Sequence, residues 1–172
     1  ARLLRIILVR YIDGDDAQAL QAAVDLAESL HLLPEEGTLR ERLLAALLGD
    51  DWAFSLRANL QRLQWAASQV RGKLSRENWQ ALVELQREAL ALEPEPPDFG
   101  ELREFLSRLV MNLAALSGFA LGDMTRDEGW RFLMIGRRIE RLQFLSTSLA
   151  AFLGTAAVED QAGLEWLLEL GN

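Results

Sequence analysis

Glu128-Gly-Trp-Arg-Phe-Leu-Met-Ile-Gly-Arg-Arg-Ile-Glu-Arg-Leu-Gln-Phe-Leu-Ser-Thr-Ser-Leu-Ala-Ala-Phe-Leu153 is the stretch that decides the fold class. It contains no proline, and its apolar residues recur at helical spacing rather than in alternation: Phe132, Ile135, Ile139, Leu142 and Leu149 share one face, Trp130, Leu133 and Phe144 another. A helix apolar around most of its circumference is expected at the centre of a bundle. In its middle stands Gly136-Arg137-Arg138-Ile139-Glu140-Arg141, with Arg137 and Arg141 one helical turn apart on the Trp130 side, so partial burial of their charge is expected.

Outward from this segment the same periodicity recurs, and no strand-length alternation interrupts it. Thr125-Arg126-Asp127-Glu128 has the Ser/Thr-x-x-Glu form of a capping box and predicts a helix start near Arg126. Asp98 with Glu101 resembles a second box, opening a helix to about Leu121. Before it, Glu93-Pro94-Glu95-Pro96-Pro97 lacks regular backbone donors and predicts an extended, exposed connector. Earlier helices are predicted over Arg2 to Tyr11, Asp15 to His31, Thr38 to Leu48, Trp52 to Lys73 and Ser75 to about Leu92, and a last one over Val158 to Leu170. The sum is an all-α bundle of about seven or eight helices forming one domain over residues 1–172. Because Leu3, Leu4, Ile7 and Leu8 are in helical phase with no cap before them, the chain reads as a fragment of a larger domain, entered inside a helix.

Composition narrows the chemistry. There is no cysteine among the 172 residues, which excludes disulfides, thiolate nucleophiles and cysteine-ligated metal. A net charge of -8 disfavours nucleic acid and anionic lipid as partners. No apolar run approaches a membrane span and no secretion signal is legible, so a cytoplasmic location is expected. Glu28 and His31 have the Glu-x-x-His spacing of di-iron bundles, but this is the single histidine; neither a metal nor any other cofactor is expected. The five tryptophans are spread over the helices without a stacking series, and core packing accounts for most of them. No phosphate loop, serine elbow or zinc motif occurs, and no self-sufficient active site is legible.

The candidate site is therefore the cluster of Arg137, Arg138, Glu140 and Arg141 with Trp130. One reading makes it a structural ion-pair network that fixes helix register, with Glu140 paired to Arg137. The other makes it an anion site, since guanidinium forks match carboxylates and phosphates. Gly129 and Gly136, close to Glu140 around the helix, would admit a neighbouring backbone.

The run from Gly122 through Thr125, Trp130 and Gly136 to Glu140-Arg141 resembles the signature of the bacterial alpha-E domain, a helical family named for a Glu-Arg motif. Ser55-Leu-Arg-Ala-Asn-Leu60, Ala66-Ala-Ser-Gln-Val-Arg71 and Leu74-Ser-Arg-Glu-Asn-Trp79 are similar to that family's middle region. The resemblance implies a further Glu-Arg pair upstream of Ala1 and a further helix downstream of Asn172. It also implies company: a circularly permuted ATP-grasp ligase and a transglutaminase-like peptidase, fused or encoded nearby. The expected function is then a non-catalytic interaction or substrate-presenting module of a peptide- or amide-bond-forming system. The alternative is part of an active site, with Arg137, Glu140 and Arg141 binding a carboxylate or phosphate. Self-association through an exposed bundle seam is a further expectation.

Overall fold

A computed structural model describes residues 1–14, 16–92, 98–122, 124–154, 167–168 and 171. Among them are seven α-helices: α1 (Arg2–Asp13), α2 (Ala17–Ser29), α3 (Leu39–Leu48), α4 (Leu56–Gln69), α5 (Arg76–Ala91), α6 (Phe99–Gly122) and α7 (Glu128–Leu153). A 3-10 turn, Arg71–Lys73, follows α4, and no strand occurs among the described residues. The proline connector at 93–97 and nearly all of the expected helix from Val158 to Leu170 lie outside them.

Short polar side chains set where the helices begin, because each accepts a backbone N–H that has no partner inside the helix. Asp16 accepts from Ala19 N at 2.9 Å and opens α2. Thr38 and Glu41 form a reciprocal capping box on α3. Ser75 accepts from Asn78 N at 3.1 Å and opens α5. Two starts differ from expectation for the same reason. Ser55, not a residue near Trp52, caps α4 by accepting from Ala58 N at 3.1 Å, so Trp52 to Phe54 form a turn. Asp127, not Thr125, caps α7 by accepting from Trp130 N at 3.0 Å, which puts the first helical residue at Glu128. At the other end of α1, Gly14 takes the left-handed φ of 69° and returns its N–H to Arg10 O, which turns the chain into α2.

The core is built around α1, whose Leu3, Leu4, Ile6, Ile7 and Leu8 are all buried. Against it pack α2 through Val24 and Ala27, α3 through Leu43 and Leu47, and α6 through Leu102, Phe105, Leu106 and Leu109. Burial of each Val, Leu, Ile or Phe among these is worth about 1.5 to 3 kcal/mol relative to exposure. The antiparallel pair α4 and α5 adds Leu60 and Leu85.

Helix α7 is not the central element its composition predicts. It packs against α2, and only Ser148 and Phe152 are buried. Phe144 and Ala151 reach the core part-buried, whereas Phe132, Ile135, Ile139 and Leu142 face outward. Its circumference is apolar because it has two apolar faces, of which the bundle covers one. The tryptophans also depart from expectation. Trp65 is exposed and Trp52, Trp79 and Trp130 are part-buried, while Trp166 is outside the described residues. Arg71 lies over the Trp79 ring at 5.1 Å and Arg126 over the Trp130 ring at 5.6 Å, so guanidinium groups cover what the core does not.

Candidate functional site

At about 100° per residue, Trp130, Arg137 and Arg141 lie within one narrow strip of α7, on the side turned toward the bundle. Arg137 is part-buried, and its Nη1 donates to Ser117 O of α6 at 3.2 Å. Arg141 is more exposed and donates through Nη2 to Gly171 O, which holds the far end of the chain against α7. Each guanidinium group thus gives one N–H to a backbone carbonyl, which accepts a hydrogen bond without neutralising charge.

The structure separates the other two members. Arg138, one residue from Arg137, is turned about 100° away and is exposed. Glu140 is exposed on the glycine side and makes no ion pair with Arg137, so the expected intrahelical pair is absent. A Cβ on Gly136 would meet nothing within 4 Å, and on Gly129 only the Asp127 carboxylate at 3.3 Å. Among the described residues no neighbouring backbone approaches there.

A second Glu-Arg dipeptide, Glu41-Arg42, has a plainly structural use. Glu41 completes the α3 capping box, and Arg42 donates through Nε to Pro34 O at 2.6 Å and pairs with Glu28. That contact also accounts for one half of the Glu28-x-x-His31 motif. His31 is exposed, with a left-handed φ of 52° after α2, and among the described residues no group of three or more His, Asp or Glu could hold a metal.

The buried charge that sequence reasoning missed is Arg57. Its side chain is 10% exposed, donates through Nη2 to Leu92 O at 2.8 Å and lies 3.6 Å from the Asp50 carboxylate. The signal was its spacing, since Arg57, Leu60 and Ala67 are in one helical phase and are the buried residues of α4. Lys73 is the other missed contact, pairing with the Asp127 cap of α7 at 2.6 Å.

Residues 1–172 match the family described as a predicted alpha-helical domain with a conserved ER motif. The chain is similar to uncharacterised proteins of Mycobacterium tuberculosis (strain ATCC 25618 / H37Rv) and Mycobacterium bovis (strain ATCC BAA-935 / AF2122/97), 29% identical to each over 145 residues. That alignment covers 82% of this chain but 16% of each relative, so the chain spans less than a fifth of their length. No solved structure matches. On a match to the family along its whole length, with Glu140-Arg141 on α7 supplying a Glu-Arg pair, the chain belongs to the Alpha-E family.

Proposed function

We propose that this domain is a non-catalytic helical module, bacterial and cytoplasmic, that presents substrate or docks enzymes in a peptide- or amide-bond-forming system. Its partners are a circularly permuted ATP-grasp ligase and a transglutaminase-like peptidase, as the family resemblance implies. One observation carries the reading: α7 turns a full apolar face, with Phe132 73% and Leu142 69% exposed, to the outside beside the exposed Arg131 and Arg138. Contiguous exposed apolar surface rimmed by charge is the mark of an association site rather than of a closed reaction pocket. The small share of the long relatives that the domain spans is consistent with a module inside a larger machine.

A second reading has support of its own. Arg137 and Arg141 both donate to neutral carbonyls and neither pairs with a described carboxylate, so their charge is available to a carboxylate or phosphate on a substrate. The two readings part in one experiment. ATP turnover and product mass of the companion ligase are measured with no domain, with the wild-type domain, and with Arg141→Ala whose fold is confirmed by circular dichroism. The module reading expects ligase output to depend on the domain and to survive Arg141→Ala. Loss of product with the arginine transfers the role to an anion site, and indifference to the domain removes both.

A further inference from the structure

The outward face of α7 has a stricter order than amphipathicity requires. Positions 132, 135, 139, 142, 146, 149 and 153 alternate spacings of three and four, the a and d positions of a heptad repeat. Six are Phe132, Ile135, Ile139, Leu142, Leu149 and Leu153, all exposed; the seventh is Ser146. The seam runs about 32 Å along the helix at 1.5 Å per residue. A strict 3.5-residue seam is the pattern of a helix that has a helix for a partner.

The flanks say which helix. On one side, seven residues apart, are Arg131 and Arg138, both exposed and neither in an ion pair with a described residue. On the other are Gly129, Gly136 and Gln143, with open space beside Gly136, so a partner can approach closely. The helix carries four arginines against two glutamates in a chain of net charge -8. A second copy does not complement this pattern. Paired antiparallel, the arginine flanks meet each other; paired parallel, Arg131 and Arg138 face Gly136 and Gln143, which bear no charge. An anionic membrane is repelled by the acidic remainder of the chain, and two rim arginines are few for a surface-bound helix.

We infer that the α7 seam is the docking surface for an acidic amphipathic helix of a partner protein, apolar at its own a and d positions and carrying Asp or Glu opposite Arg131 and Arg138. The inference rests on the module reading and deepens it by naming the partner's chemistry.

The test uses the 172-residue chain and two labelled synthetic peptides of about three heptads. Both have Ile at a and Leu at d; one has Glu and the other Lys at the flanking positions. Fluorescence anisotropy at low salt is expected to show saturable binding of the Glu peptide, at least ~10-fold tighter than the Lys peptide. Arg131→Glu with Arg138→Glu is expected to invert that preference, and Ile139→Ser to abolish binding of both, with circular dichroism unchanged. The inference is overturned if neither peptide binds, if the two bind equally, or if Ile139→Ser leaves binding intact. It is also overturned if the chain sediments as a dimer that excludes peptide, or if phosphatidylserine vesicles compete the Glu peptide away. A ligase response that survives the Arg131, Arg138 and Ile139 variants would sink the seam inference while leaving the module reading in place. Peptide binding beside an indifferent ligase would do the reverse.

Discussion

Lys73 Nζ lies 2.6 Å from Asp127 Oδ2, joining the 3-10 turn after α4 to the residue that caps α7. The same carboxylate accepts from Trp130 N, so one side chain fixes both where α7 starts and what its start is tied to. The Lys73 hydrogen bond, and after it the Trp130 N–H, hold the Asp127 carboxyl below the ordinary aspartate value of 3.8. A carboxyl whose folded pKa is depressed contributes stability that is complete above the unfolded pKa and is lost as pH falls through the folded one. The melting-temperature gap between wild type and Asp127→Asn is therefore expected to be constant from neutral pH down to about pH 4 and to close below it. Thermal melts followed by circular dichroism across that range check it; a gap that widens in acid contradicts the assignment.

Arg57 is expected to act through a backbone carbonyl more than through its ion pair. Its Nη2 satisfies Leu92 O at the end of α5 at 2.8 Å, while Asp50, at 3.6 Å, is 78% exposed and screened by water. Removing the guanidinium leaves the carbonyl without its donor and a gap at the α4–α5 end, so Arg57→Ala should cost about 2 to 3 kcal/mol. Asp50→Asn should cost less than about 1 kcal/mol. Urea titration of the two variants decides; equal losses would shift the weight to the ion pair.

The helical class, most helix spans and the starts of α2, α3 and α5 were legible because they depend on neighbours in sequence: phase, a short acceptor, a glycine or proline stop. The misplaced starts of α4 and α7 were errors of choice between adjacent acceptors, which only geometry ranks. The larger miss was rank in the core. Ile7 of α1 and Ile139 of α7 are the same residue in the same kind of periodic pattern, yet Ile7 is fully buried and Ile139 is 52% exposed. Periodicity says that a face is apolar, not which element covers it. The site suffered in the same way. Arg137 and Arg141 share the strip that their spacing gives, but helical rotation turns Arg138 and Glu140 away from it, and the partners Ser117 O and Gly171 O are backbone atoms with no signature.

Ser148 is a polar side chain that the fold would do better without. It is 1% exposed on the covered face of α7, and its Oγ has no hydrogen-bond partner among the described residues. A buried hydroxyl left unpaired forfeits its hydration for no return, at a cost of about 1 to 3 kcal/mol. Ser148→Ala removes that oxygen and almost no volume, so a gain of about 1 kcal/mol is expected. Ser146→Ala, on the exposed side where the hydroxyl donates to Gln143 O, should be near neutral. Chemical denaturation of both variants tests the pair; loss of stability in Ser148→Ala would mean the hydroxyl is satisfied in solution.

The two apolar faces of α7 predict opposite responses to the same kind of substitution. Leu109, fully buried in α6, should lose about 2 to 5 kcal/mol on change to Ala, because transfer energy and a cavity both count against it. Phe152, buried on the covered face of α7, should lose about 3 to 5 kcal/mol. Ile139→Ala, on the outward seam of the same helix, removes contacts with water rather than with protein and should cost less than about 1 kcal/mol. If α7 were the central helix that its composition suggests, Ile139→Ala would instead behave like Leu109→Ala. Urea unfolding of the three variants, each checked for monomeric state at the working concentration, separates these outcomes. Adding a bound acidic helix should then move Ile139 into the second class, since a side chain buried by a ligand contributes to stability only when the ligand is present.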